Sequence, residues 1–271
     1  MQNQIIFITV HLNNSQSFIK TAESLRLLPV EYNWNWLIKD GLSTCSEIDL
    51  LRELIQTFPS EKVTLVERPD NGIYDAMNQA LSLLTSDDCY CLFLNAGDYL
   101  IPQFYVEIKN IIDNYHQFDI IYYDHIHGIG SNAKLKKSPE RLDFGFLLGK
   151  TINHQSLFIR LKWLKKYPFD SNYSVVADWI QLFSILKNEN VKIKYVNVPM
   201  INYEGGGYSE KNDHLRLEER RKFLKSHYSD WELESLHTLS RLSTRPWLPM
   251  IIRALGSPSR SALLSIMSKF L

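Results

Sequence analysis

The chain of 271 residues has no charge of either sign to spare: 30 Lys and Arg stand against 30 Asp and Glu, for a formal net charge of zero. Such a balance provides no whole-molecule field for a polyanion, so composition argues against a nucleic-acid partner. Cysteine is scarce. Cys45, Cys89 and Cys91 lack the spacing of metal ligands. Cys89 and Cys91 sit two apart in an apolar run, expected on opposite sides of a strand. The three read as buried free thiols, which suits a reducing compartment. Long apolar runs are missing too. With no uninterrupted stretch of about 18 apolar residues, no transmembrane helix is expected. The opening "MQNQIIFITVHLNN" has no basic region, and Ile5–Val10 is too short for a signal peptide, so it reads as a first strand. Also absent are a Walker loop, a G-x-G-x-x-G fingerprint, a nucleophile elbow and any internal repeat. "GGGYS" at Gly205–Ser209 lacks the strand, helix and Gly-Lys of a phosphate loop, leaving a flexible lid or a tight turn.

What the chain does have is alternation. Ile5–Val10, Trp34–Gly41, Lys62–Glu67, Cys89–Asp98 and Phe118–Asp124 read as strands. Ser15–Leu28, Glu47–Phe58, the segment starting at Ile73, and Phe104–Tyr115 read as helices between them. Strand and helix in turn predict an α/β fold with a mostly parallel central sheet, flanked by helices and joined by right-handed crossovers. After Asp124 the pattern loosens. "HIHGIGSNAKLKKSP" reads as a hairpin or loop, Leu142–Leu148 as a short helix, and Ile152–Arg160 as a loop entering a short strand. Ser174–Lys187 reads as a helix, Val191–Pro199 as an edge strand, and Asn212 to about His227 as a charged helix.

One stretch raises a sharper question. "ERPDNGIYDAMNQAL" (Glu67–Leu81) begins as turn chemistry, with Pro69 fixing φ and Asn71-Gly72 tolerating positive φ. It continues as a helix: Ile73, Ala76, Met77, Ala80, Leu81 and Leu84 fall on one face, Asp75, Asn78 and Ser82 on the other. A polar turn feeding a helix N-terminus is a natural anion site, and also how many helices begin.

In parallel α/β sheets, ligands bind beyond the carboxyl ends of the strands. Those ends carry Asp40 after the second strand, Arg68 and Asp70 after the third, and Asn95 and Asp98 after the fourth. Acids at three successive strand ends point to a site. "FLNAGD" sets Asp98 among small residues that let a bulky ligand approach the backbone. One carboxylate plus phosphate oxygens suits Mg²⁺ or Mn²⁺. Asp98 could equally cap the next turn. Asp178, near the start of its helix in "VVADWIQLF", is a catalytic candidate or an acid favoured by the helix dipole. His154 could contact a phosphate or sit in a polar loop.

Together, "ERPDNGIYDAMNQAL" and "YCLFLNAGDYL" resemble the nucleotide-sugar domain of family 2 glycosyltransferases of GT-A type, in particular those of bacterial colanic acid, O-antigen and exopolysaccharide biosynthesis. "FITVHLNN", "WLIKDGLST", "NHQSLFIR" and "VADWIQLF" occur in the family's order, and the resemblance covers about residues 4–210. It implies a GT-A, Rossmann-like fold and metal-dependent, inverting transfer of a hexose from a nucleotide diphosphate sugar, a UDP-sugar by preference. By position, Asp40 would bond the base. Arg68 or Asp70 would frame the nucleotide, with Asp75, Asn78 and Asn95 in the same binding region. Asp98 would bind Mn²⁺ or Mg²⁺, His154 and Gln155 would border the donor, and Asp178 would be the general base. The family's metal motif often has two acids; here Asn95-Ala96-Gly97-Asp98 has one, which implies either a weakly held metal or help from a distant His such as His154 or His214. The family's Glu-Asp on the base helix is Ala177-Asp178 here.

The resemblance further implies a lipid-linked glycan acceptor, and hence work at the cytoplasmic face of the inner membrane. Residues 1–228 would form the catalytic domain and 229–271 a basic, amphipathic helical extension. After Glu234 there is no acid, and Arg241, Arg245, Arg253, Arg260 and Lys269 alternate with Trp, Leu and Ile. That composition suits a peripheral membrane contact, or a helix packed on the domain, broken by Pro246, Pro249, Gly256 and Pro258. Two other functions fit the same residues: a catalytically inactive nucleotide-sugar or glycan-binding module, and a nucleotidyltransferase. The second calls for a glycine-rich basic loop after the first strand, and "HLNNSQSF" has none.

Overall fold

The computed structural model describes residues 3–207 and 211–234. The basic tail beyond Glu234, with its expected membrane contact, lies outside the described residues. Strands β1 (Ile5–His11), β2 (Trp34–Asp40), β3 (Val63–Glu67) and β4 (Tyr90–Phe93) alternate with helices α1 (Ser15–Arg26), α2 (Cys45–Ile55) and α3 (Ile73–Ser82). They pair in parallel in the order β3-β2-β1-β4. Both faces are covered, which is why β1 reads as an unbroken apolar run. Ile6 and Ile8 enter one core with Met77 and Phe93, while Ile5 and Phe7 enter the other with Trp36 and Leu92.

The second half completes the same sheet. It contains β5 (Tyr99–Leu100), α4 (Tyr105–Asn114), β6 (Ile120–His127), β7 (Lys134–Lys136), α5 (Phe144–Gly149), β8 (Leu157–Arg160), α6 (Leu161–Lys166), α7 (Ala177–Asn188), β9 (Ile193–Tyr203) and α8 (Asp213–His227). From β4 the sheet continues β8-β6-β9-β5, with β7 on β6. Strand β8 is antiparallel to both neighbours, so β6 runs in the direction of β4 without touching it.

Four expectations change. β9 is no edge strand: it lies between β6 and β5 and reaches Tyr203, with Pro199 accommodated where the β6–β9 register shifts. The fourth strand stops at Phe93, and its polar end is a turn. Cys89 and Cys91 share one core cluster, because residues two apart on a strand point to the same face. Cys45 is an exposed free thiol, while the other two are buried. Beyond α8, Ser229 and Glu232 exchange the bonds of a capping box: Glu232 Oε2 accepts from Ser229 N at 2.8 Å, and Glu232 N reaches Ser229 Oγ at 3.4 Å.

Candidate active site

A cavity of about 790 Å³ opens at the carboxyl ends of β1 and β4. Asn95, Asp98, His154, Gln155 and Asp178 line it, together with Tyr74, Glu204 and the Gly205–Gly207 loop. Residues from five separate segments of the sequence thus meet in one place.

The turn after β4 is built to present Asp98. Gly97 adopts φ +104°, a conformation that glycine enters without strain. Thr21 of α1 accepts from Gly97 N at 3.0 Å and donates to Asp98 O at 2.8 Å, pinning the turn on both sides. Gln155, sealed from solvent, clamps the same turn. Its Oε1 accepts from Asn95 N at 2.9 Å, and its Nε2 donates to Asp98 Oδ2 at 2.6 Å. Gln155 therefore holds the acid in place, and in this arrangement its amide is not free for a donor sugar. Glu204 N donates to the other Asp98 oxygen at 3.1 Å. Burial pushes the Asp98 carboxyl up to about 6 against these bonds, which favour the charged form.

That raised value bears on a metal. A carboxylate destabilised by desolvation gains from a cation beside it, so Asp98 fits a divalent-ion ligand. Among the described residues there is no cluster of three metal-binding side chains. A metal here would therefore complete its shell with diphosphate oxygens and water, as Mg²⁺ usually does. His214 does not assist: its side chain is 96% exposed on α8, with Glu218 at 3.9 Å. The Nδ1 of His154 is committed elsewhere, to Asp178.

Asp178 stands in the first turn of α7. Its Oδ2 meets His154 Nδ1 at 2.9 Å, and its Oδ1 accepts from Tyr74 OH at 3.2 Å and Trp179 N at 2.8 Å. Burial alone would raise its pKa, but the hydrogen bond and charge of His154 outweigh it, and the carboxyl is held below the ordinary value. With Nδ1 engaged by the carboxylate, the buried Nε2 of His154 has no hydrogen-bond partner among the described residues. Tyr74 is stacked on Phe169 with ring centroids 5.6 Å apart, and its phenol is pushed strongly upward by burial and the nearby Asp178 charge, so it remains a donor.

Residues of α8 support this side of the cavity, and sequence reading did not single them out. Glu219 is buried and accepts from Ser174 N at 2.8 Å and Val175 N at 2.9 Å, fixing the loop that leads into α7. Arg220 stacks on Trp179 at 4.3 Å and donates to Leu147 O and Lys150 O, both at 2.7 Å. Burial pushes its guanidinium down to about 10. A charged helix with almost no apolar stripe gave no signal that two of its charges are inside. Tyr74 was hidden between the turn residues and the apolar face of α3.

The remaining strand-end acids are placed differently. Asp40 is fully buried; its carboxylate meets His11 Nδ1 at 2.8 Å and accepts from Ser43 Oγ at 2.6 Å and Ser43 N at 2.8 Å. Asp70 pairs with buried Lys39 at 2.7 Å and accepts from Gly72 N at 3.1 Å. Asp75 accepts from Asn71 N at 2.8 Å. The α3 turn is thus closed by its own two acids, leaving less room for an outside anion. Gly72 takes φ +113° there. Asn78 spends its amide on Phe169, donating to its O at 2.8 Å and accepting from its N at 3.0 Å. Arg68 is exposed on the surface, and its carbonyl accepts from Lys39 at 2.7 Å. Asp40, Arg68, Asp70, Asp75 and Asn78 do not line the cavity.

The fold is of the GT-A glycosyltransferase type. The chain superposes on Staphylococcus aureus TarS 1–349 in complex with UDP at TM-score 0.63 and 12% identity, covering 98% of this chain and 80% of that one. It superposes on the Pyrobaculum calidifontis mannosyltransferase PcManGT, in complex with GDP-Man and Mn²⁺, at TM-score 0.62 and 14% identity, over 99% and 80%. In sequence, it is similar to the PGL/p-HBAD biosynthesis glycosyltransferases of Mycobacterium bovis and Mycobacterium tuberculosis, 26% identical over 181 residues. That alignment spans 64% of this chain and 66% of the relative. No family model matches the sequence.

Proposed function

We propose that this chain is an inverting, metal-dependent glycosyltransferase that moves a sugar from a nucleotide diphosphate donor, a UDP-sugar, to a hydroxyl of a lipid-linked surface glycan. The observation that carries this reading is that Asp98 and Asp178, 80 positions apart, line one cavity at the carboxyl ends of the strands in a GT-A fold. The sequence likeness to mycobacterial glycosyltransferases and the nucleotide ligands of the structural neighbours support it.

Each side chain has a task in that reaction. Asp98, presented by Gln155 and Thr21, would hold Mn²⁺ or Mg²⁺. The ion would offset charge building on the leaving diphosphate. Asp178 is held below its ordinary pKa, so it stays ionised at neutral pH and is ready to take the acceptor's proton. His154 and Tyr74 fix its orientation by donating to opposite oxygens. With the proton removed, the hydroxyl oxygen attacks the anomeric carbon as the diphosphate departs. One displacement inverts the configuration, and no covalent enzyme intermediate forms. Asn95 and the Gly205–Gly207 loop border the donor.

The acceptor class and the place of action rest on family resemblance: a colanic acid, O-antigen or related pathway, at the cytoplasmic face of the inner membrane. Among the described residues no helix is long and apolar enough to cross a membrane, and a peripheral attachment is compatible with that. The test is nucleotide release from a panel of UDP-, GDP- and CDP-sugars with Mn²⁺, with and without glycan acceptors. Turnover of one donor that vanishes in Asp178→Asn supports the reading. Binding without turnover of any donor would favour a catalytically inactive module.

A further inference from the structure

Strand β6 changes character along its length. Ile120–Asp124 is buried, while His125–His127 is half-exposed, paired with β9 on one side and with β7 on the other, and continues into the β6–β7 hairpin ribbon at the end of the sheet. His125 and His127 form part of the cavity wall. The ribbon therefore stands at the cavity, at the carboxyl-end pole of the sheet. Its base is tied to β9, with Gly128 N donating to Tyr203 O at 2.9 Å, and its tip is ordered by its own backbone, with Asn132 N donating to Ile129 O at 3.2 Å and Ala133 N to Gly130 O at 3.1 Å.

The composition of this ribbon is one-sided. From His125 to Pro139 there is no acid, while Lys134, Lys136 and Lys137 stand close together. All three are exposed, and among the described residues none makes an ion pair. Two large apolar side chains accompany them. Ile129 at the tip is 60% exposed and Leu135 between the lysines is 52% exposed. Cross-strand pairing puts Lys134 and Lys136 on the face of His127 and His125, and Leu135 on the other face with Ile126. Cations alone would suit any polyanion. Exposed Ile and Leu at the same tip suit a surface with charged headgroups over an apolar layer, where lysine stems lie along apolar matter with their ammonium groups at phosphate level.

We propose that the tip of the β6–β7 ribbon docks on an anionic lipid surface, with Ile129 entering the headgroup layer and Lys134, Lys136 and Lys137 around it. Docking there sets the cavity mouth beside the bilayer. This contact is separate from any made by the tail, and it does not depend on which reaction the cavity performs.

The experiment uses the full chain in a Cys45→Ser background, where the remaining thiols are buried. Ile129→Cys carries an environment-sensitive fluorophore, and Ser60→Cys, on the loop at the opposite pole, carries it as the control. Vesicles of phosphatidylcholine, and of phosphatidylcholine with phosphatidylglycerol in equal parts, are titrated at 0.1 M salt. The expected result is a blue shift at 129 on the anionic vesicles, none on neutral vesicles and none at 60. Changing Lys134, Lys136 and Lys137 to Gln should weaken vesicle affinity about fivefold per lysine, on the order of a hundredfold for all three. A silent label at 129 on vesicles that sediment the protein would overturn the proposal, as would absence of any binding. Unchanged affinity in the triple variant would do the same. A full response to soluble polyphosphate, matching that to vesicles, would replace the lipid surface by a polyanionic chain.

Discussion

Two groups of acids stand beyond the strand ends, and they have opposite relations to water and to the cavity. Asp40 and Asp70 face basic partners, His11 and Lys39, both fully shielded. Asp98 has no such basic partner; its bonds come from the neutral Gln155 amide and a backbone N–H, and it borders the open cavity. Asp178 lies between, paired with His154 yet lining the same space. Asp40, paired at low cost, shapes the loops after β1 and β2. Asp98 keeps a desolvated charge that a cation would relieve, which supports the metal role proposed for it. Burial with a partner serves the fold, and burial without one serves a ligand.

That contrast can be broken from either side. The largest effect is expected at Asp178. Asp178→Asn should keep donor binding and lose turnover by about 10²–10⁴-fold, the range for a general base, measured as nucleotide release. Retained turnover would place the base elsewhere. Next is Asp40. Asp40→Ala leaves His11 without its buried partner and should destabilise the chain by about 3–5 kcal/mol in denaturant titration. Because the folded pKa of Asp40 is lowered, its stabilising contribution is present above the unfolded carboxylate range and is lost as pH falls through the folded value. A folded Asp40→Ala protein of unchanged stability that had lost UDP affinity would make it a site residue after all.

Asp98 should behave in the reverse sense. Its folded pKa of about 6 lies above the unfolded value of 3.8, so the native state binds the extra proton between them. Apo stability from this group therefore falls as pH rises across that interval, by up to ~3 kcal/mol, and is level above it. Asp98→Asn should match wild type near pH 4 and exceed it above pH 6 in thermal melts, while losing any Mn²⁺ response. A variant less stable than wild type at pH 7 would contradict the desolvation account. The smallest effect is expected at Asn78. Asn78→Ala removes both bonds to the Phe169 backbone and should cost about 1–3 kcal/mol, with nucleotide affinity unchanged by calorimetry.

The same contrast shows how far the sequence could be read. The parallel order β3-β2-β1-β4 was legible because both faces of these strands are buried and helices alternate with them. The insertion of β8 between β4 and β6 was not, because a four-residue antiparallel strand leaves no periodic mark. The cavity residues Asp98, Asn95, His154, Gln155 and Asp178 were legible as polar groups at the ends of apolar elements. Their division of labour was not. Whether Asp40 or Asp98 meets a basic or a neutral side chain depends on His11 and Gln155, 29 and 57 positions away. Glu219 and Arg220 were invisible for the same reason: nothing local in a charged helix says which two charges are buried.

The role proposed for Asp98 is to hold a divalent ion against a nucleotide diphosphate. The most direct test is calorimetric titration of UDP, GDP and CDP into wild type and Asp98→Asn, with and without Mn²⁺. Mn²⁺-dependent binding of one nucleotide, absent in a folded Asp98→Asn protein, is the predicted result. Binding of none of the three, or equal Mn²⁺-dependent binding in both proteins, would contradict it.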